Sequence, residues 1–268
     1  MKRGALTLAV LIPLLLFIYL PVLTLVLFSL HDGRVPVPPF KGPTLEWYGR
    51  ILVNPRITTA TLNSVMVATV SAAISVALAM LAGWGLARHR VPGRRWIEAM
   101  ILMPLTVSYL VVGLGLLVAT GGLVPKSLAL VIVGHVVLNL PLAFAILYVQ
   151  FDAAQGRLEM AARDLGATEA QVFWRVTVPS LRVALIAAFA LCFTFSWDEF
   201  IVAFLLSGFD PTLPVVIWGL LRTGLDPQTN AAGTLVFLVS VAAALIVEAV
   251  LLKKAERWPG PVTCRSSG

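Results

Sequence analysis

Two adjacent carboxylates, Asp198 and Glu199, stand inside an otherwise apolar run, with Ser196 and Trp197 directly before them. An ionisable group at membrane depth costs at least ~2.5 kcal/mol on insertion scales, so each one asks for a partner or a purpose. Neighbouring residues on a helix point about 100° apart, so the pair cannot both meet lipid cheaply. His135 and Asn139, one helical turn apart in another apolar run, reach a comparable depth and are candidate partners. Three chemistries fit. A carboxylate pair in a narrow path can replace part of the hydration of a diammonium or triammonium ion. The same groups can tie helices together, through His135, Asn139 or a partner subunit. They can also relay protons.

A second concentration of charge lies at Asp152 to Arg182, between two apolar runs. Leu158, Ala161, Ala162 and Leu165 fall at i, i+3, i+4 and i+7, which predicts one apolar helical face with Glu159, Arg163 and Asp164 turned away from it. Gly166, followed by Ala167, supplies a residue for the left-handed conformation that ends helices. Thr168 with Gln171 three residues later matches a capping box opening a second helix, lined by Val172, Phe173 and Val176 and stopped at Pro179.

The elements that must carry these residues follow from hydropathy. A hydrophobic fraction of 59%, only 12% charged residues and a mean hydropathy of +0.93 exclude a soluble globular protein. The expected fold is all-α, a polytopic membrane protein with six transmembrane helices. Spans are expected at about residues 5–30, 58–87, 96–119, 128–151, 183–206 and 229–252, with a proline-rich outer segment at 31–57 in which Thr44 opens a short helix carrying Trp47 and Tyr48. That aromatic pair suits either the membrane interface or a partner. Residues 1–254 read as a single transmembrane domain, and 255–268 as a flexible cytoplasmic tail.

Charge orients the spans. Six Lys and Arg residues, Arg34, Lys41, Arg50, Arg56, Lys126 and Arg222, fall on one side, and the other fourteen of the twenty fall on the side of residues 88–95, 152–182 and both termini. The basic side faces the cytoplasm, so the N- and C-termini and the 152–182 segment are expected there. The net charge of +7 does not mark a nucleic-acid binder, because the cations sit at the ends of apolar runs. Glu98 is expected to pair with Arg94 or Arg95 at the surface, and Glu248 with Lys253 or Lys254. Cys192 and Cys264 have no metal-ligand spacing, three histidines lie on different segments, and no metal site is expected.

The spacing of Ala161, Ala162, Gly166, Val176, Val178 and Pro179 resembles the EAA loop of permease subunits of ATP-binding-cassette importers. Met160 departs, standing where the family usually has Glu, and Glu159 is one residue away. The resemblance implies that the loop is a coupling helix seated in a groove of a cytoplasmic ATPase, through Glu159, Ala161, Ala162, Asp164, Leu165, Gly166, Ala167 and Pro179. Phe193 to Ala231, with the acidic pair after a Ser and then Thr212, Leu213, Pro214, Pro227 and Asn230, is similar to the spermidine/putrescine permeases. Trp197 and Glu199 stand where those permeases more often carry Leu and Asp, and Ser108-Tyr109 where a Pro-Glu pair is common. The family core covers about residues 58–252. The resemblance implies a substrate path through Ser196, Trp197, Asp198, Glu199, His135 and Asn139.

The sequence holds no G-x-x-x-x-G-K-[ST] phosphate loop and no Ser/His/Asp constellation, so no catalysis is expected of this chain. The resemblance implies that ATP and Mg are used by a partner ATPase, and that the chain itself binds no cofactor. It further implies a second permease subunit in a heterodimer, two cytoplasmic ATPases, an external substrate-binding protein, surrounding lipid and the bacterial inner membrane. The expected function is import of spermidine or putrescine. Two alternatives remain at this stage: a permease for another small solute, or an ion-coupled transporter using Asp198, Glu199 and His135 as a proton relay. The latter calls for inverted repeats and broken helices, and the sequence shows no convincing repeat.

Overall fold

In the computed structural model the chain is helical, with no strand among the described residues, 2–33, 35–121, 123–224 and 226–257. The order is α1 (Lys2–Ser29), α2 (Glu46–Val53), α3 (Pro55–Arg88), α4 (Arg94–Leu102), a 3₁₀ turn at Met103–Thr106, α5 (Tyr109–Thr120) and α6 (Leu128–Tyr148). Then come α7 (Ala153–Asp164), α8 (Glu169–Val172), a π-helical turn at Phe173–Thr177, α9 (Val178–Ser180), α10 (Arg182–Asp198), α11 (Ile201–Leu206), α12 (Leu213–Thr223) and α13 (Pro227–Arg257). Among the described residues four stretches are long and apolar enough to cross a membrane: Val10–Ser29, Pro55–Arg88, Leu128–Tyr148 and Pro227–Ile246. Two bent pairs bring the number to six if each is one span.

The expected third span, 96–119, is bent, and the expected fifth, 183–206, begins just past the helix stop expected at Pro179. Arg94–Thr106 and Tyr109–Thr120 meet at 106°. Pro104 opens the intervening 3₁₀ turn, and Val107 and Ser108 are extended; a proline cannot donate to the helical ladder. Glu169–Ser180 and Arg182–Asp198 meet at 71°, just after Pro179. The expected fifth span is interrupted at Glu199, whose backbone is extended between α10 and α11. At the C-terminus helix continues through Arg257, beyond the expected start of the tail. Residues 258–268, and with them most of the tail and Cys264, lie outside the described residues, as do the side chains of Lys253 and Lys254 expected to meet Glu248.

The chain forms two compact units: residues up to Leu62 with Thr212–Val239, and Asn63–Pro211 with residues from Ser240 on. In the first, Trp47 is buried and its Nε1 donates to His31 O at 2.8 Å, while Tyr48 Oη lies 2.7 Å from Ser29 Oγ. The aromatic pair is therefore used to fasten α2 to the end of α1. In the second unit the core is built largely of small residues. Ala72, Ala79, Ala143, Ala184 and Ala188 are buried with Phe144, Leu147 and Cys192. Lipid is as apolar as leucine, so close approach of backbones rather than the hydrophobic effect drives helices together in a membrane. Gly113 and Gly134 show it at α11: a Cβ on Gly113 would come to 2.7 Å from Leu205 Cδ1, and one on Gly134 to 2.5 Å from Val202 Cγ1.

Candidate functional site

The segment between α6 and α10 is a capped and clamped loop. Asp152 caps α7 by accepting from Gln155 N at 2.8 Å. At the other end Gly166 takes φ 85°, Gly166 N donates to Arg163 O and Ala167 N to Ala162 O, the paired bonds of a Schellman ending. Thr168 and Gln171 make the expected capping box reciprocally at the start of α8. Arg163 reaches across the turn to Glu169 at 2.6 and 2.9 Å, and this bond holds the exposed Glu169 carboxyl below the usual carboxylate range.

The expected apolar face of α7, with Leu158, Ala161 and Leu165, is the exposed one, and Glu159 is turned away from it into the interior. Leu158, Met160 and Leu165 are exposed, Leu165 at 90%, whereas Glu159 is 0% exposed. Arg88, at the end of α3, meets the Glu159 carboxylate at 2.6 Å through Nε and 3.4 Å through Nη2. Thr177 Oγ1 donates to it at 2.9 Å and Gln155 Nε2 at 3.4 Å, and Gln155 Oε1 accepts from Ser180 Oγ at 2.9 Å. A carboxylate with this many donors is held inside, because turning it outward would strip Arg88 of its partner. Glu159 therefore offers no charge to the outside. Ala161, Asp164, Gly166 and Pro179 are exposed, and Ala162 and Ala167 partly so.

The acidic pair in the membrane divides in the same way. Glu199 is buried at the break between α10 and α11, where its carboxylate accepts from Val202 N at 2.9 and 3.0 Å and from Ala203 N at 3.1 Å. It thus satisfies the free N–H groups that open α11. His135 bridges it to Ser196: Nε2 lies 3.2 Å from Glu199 Oε2 and Nδ1 2.6 Å from Ser196 Oγ, which in turn lies 2.9 Å from Ser71 Oγ of α3. Asn139 is not part of this chain of bonds; its Nδ2 donates to Cys192 O at 3.2 Å. Trp197 is buried. The cavity among Tyr109, His135, Asn139, Ser196 and Glu199 measures about 10 Å³, enough for a single water and nothing larger. Asp198, the last residue of α10, is exposed and has no ion-pair or hydrogen-bond partner among the described residues.

Of the two expected partners of the acidic pair, His135 meets Glu199 and Asn139 does not, and Glu98 pairs with Arg94 at 2.7 Å. Sequence reading misses Arg88, Thr177, Gln155 and Ser71. In the sequence Arg88 reads only as a charge that orients a span, and a serine such as Ser71 in an apolar run gives no warning of its partner. An acid followed by the start of a new helix is the one signal that could have exposed the cap at Glu199.

Residues 75–256 match the family described as binding-protein-dependent transport system inner membrane component. The chain is 27% identical over 240 residues to the spermidine/putrescine transport system permease protein PotC of Haemophilus influenzae, covering 88% of this chain and 93% of that protein. It is 34% identical over 209 residues to a probable molybdenum ABC transporter permease protein of Haloferax volcanii, covering 74% of this chain and 77% of that protein. Its fold is similar to a chain in the crystal structure of a bacterial alginate ABC transporter in complex with alginate pentasaccharide-bound periplasmic protein, with a TM-score of 0.68, 16% identity and 93% of each chain covered.

Proposed function

The chain belongs to the family of binding-protein-dependent transport system inner membrane components, permease subunits of ATP-binding-cassette importers, and on that premise we propose that it imports a polyamine. The observation that carries the cargo is Asp198, an exposed carboxylate at a helix break within the membrane-spanning part. It sits in a chain whose similarity to a spermidine/putrescine permease extends over 88% of its length. A second reading, import of an oxyanion, draws on the likeness to the molybdenum permease. Charge separates them: an unpaired carboxylate attracts a diammonium or triammonium ion and repels molybdate.

The same reading supplies the machinery. A second permease, as a heterodimer, completes the path; two cytoplasmic ATPases hydrolyse ATP with Mg; an external protein delivers cargo, as the periplasmic protein is bound in the alginate transporter. The chain sits in the bacterial inner membrane with both termini in the cytoplasm. The ATPase seats on the exposed apolar face of α7, through Leu158, Ala161 and Leu165, with Met160 and Gly166 at its edges. Its closure displaces α7, and the Glu159–Arg88 clamp carries the displacement to α3 while the π-helical turn carries it to α10. The two spans then move together between outward and inward access.

The test is uptake of labelled spermidine and putrescine into vesicles carrying the assembled system, with and without the ATPase, and with excess molybdate. ATP-dependent polyamine uptake that molybdate leaves unchanged is expected. Uptake persisting without the ATPase would instead mark an ion-coupled transporter, and competition by molybdate would favour the oxyanion.

A further inference from the structure

We propose that the Arg88 end of α3 holds an anionic phospholipid, with an acyl chain in the groove between α3 and the π-helical turn and the phosphate on the basic turn that follows α3. The proposal needs only that α3 spans the membrane and is independent of the cargo.

Ala73, Ala77 and Leu81 recur at four-residue spacing and make one wall of a groove of about 290 Å³; Trp174, Val178 and Leu185 make the other. The two alanines create the hollow, and no charged side chain lines it. Beyond Leu81, seven residues or roughly 10 Å along the helix, a second cavity of about 430 Å³ is lined by Arg88, His89, Arg90 and Arg94. Two of these cations are committed within the chain, Arg88 to Glu159 and Arg94 to Glu98. Arg90 is exposed and in no ion pair among the described residues, and His89 beside it is exposed as well.

Trp84 joins the two cavities. Its ring lies 5.2 Å from that of Phe173, which lines the groove, and 5.4 Å from that of His89. Its Nε1 is buried and has no acceptor among the described residues, although a buried indole N–H ordinarily finds one. An apolar trough that leads past an unfilled donor to an unneutralised guanidinium matches a molecule with an apolar tail, ester oxygens and an anionic head, in that order. A basic pocket beside a membrane helix is the kind of site that binds such headgroups. A second copy of this chain would fill the trough but bring no anion to Arg90.

The experiment is native mass spectrometry of the full chain in detergent with phosphatidylglycerol or phosphatidylcholine, paired with tryptophan fluorescence in nanodiscs containing acyl-brominated phosphatidylglycerol. Phosphatidylglycerol is expected to be retained in preference to phosphatidylcholine, and Arg90→Ala to cut its retention about fivefold. Brominated lipid is expected to quench wild-type fluorescence more than that of Trp174→Phe, a comparison that does not depend on filling the groove. Ala77→Phe should lower both signals at an unchanged melting temperature. Equal retention of the two lipids, quenching unaltered by Trp174→Phe, or a lipid-free dimer dispersed by Ala77→Phe would each overturn the proposal.

Discussion

Two glutamates, Glu159 and Glu199, solve one problem in different settings. Each is buried, Glu159 midway along α7 and Glu199 at the break between α10 and α11, and each is adjacent in sequence to an exposed residue, Met160 or Asp198. Glu159 is neutralised by a guanidinium from another helix. Glu199 is held by hydrogen bonds, from the His135 ring and from the backbone N–H groups of its own next helix. The difference shows what each can transmit. The Glu159 clamp is a tie between α7 and α3, so movement of one is felt by the other. The Glu199 cap is mostly local, fixing where α11 starts and therefore where Asp198 ends α10.

The largest effect should come from breaking the clamp on one side. Glu159→Ala strands Arg88, whose side chain is 14% exposed, and loss of one partner of a buried ion pair costs about 3–5 kcal/mol. Denaturant or thermal unfolding of the purified chain should show this. Combining it with Arg88→Met should recover much of the loss, because the stranded charge is then gone. If the double variant is as unstable as the sum of the two singles, the pair is not a tie.

Removing the cap should cost less. Glu199→Ala removes the carboxylate that caps Val202 N and Ala203 N at the start of α11, and loss of a capping side chain costs about 0.5–2 kcal/mol. Asp198→Asn should leave unfolding unchanged within about 0.5 kcal/mol while lowering polyamine uptake. This split between stability and flux sharpens the contrast between the two carboxylates. Equal loss of stability in both variants, or full uptake in Asp198→Asn, would erase it.

Gly166 tests the loop independently of its clamp. At φ 85° a residue with a Cβ is strained by about 1–2 kcal/mol, so Gly166→Asp should disturb the α7–α8 turn and abolish uptake while membrane insertion is retained. Nothing lies within 4 Å of a Cβ placed there, so the backbone alone accounts for the effect. Normal uptake by this variant would separate the turn from coupling.

The helical class, the four long spans, the Gly166 ending and the Thr168–Gln171 box were legible in the sequence because each depends on local periodicity or a local cap. Which side of α7 packs inside was not. Periodicity separates its apolar residues from Glu159, but the donors that draw Glu159 inside come from Arg88, Thr177 and Gln155, and the first two are remote in sequence. The broken spans were hidden for a related reason. Hydropathy averages over Pro104 and over Glu199, whereas the backbone responds to a missing N–H at the first and to a capping carboxylate at the second.

The smallest expected effect concerns the neighbour of the clamp. Met160 is exposed at 56%, roughly half a turn round α7 from Leu158 and Leu165, at the edge of the exposed side. An exposed substitution away from any partner changes stability by less than about 0.5 kcal/mol, so Met160→Glu should melt as the wild type does. Its consequence should lie at the ATPase contact and in its dependence on salt. An apolar contact through Met160 is insensitive to ionic strength, whereas an exposed carboxylate pair contributes at most about 1 kcal/mol and is screened within ~8 Å at physiological salt. ATPase binding to the reconstituted permease, measured at low and high salt, should therefore be nearly flat for the wild type and fall for Met160→Glu. A wild-type contact as salt-sensitive as the variant's would mean that charges elsewhere on the loop, such as Asp164, make the contact instead of the apolar face of α7.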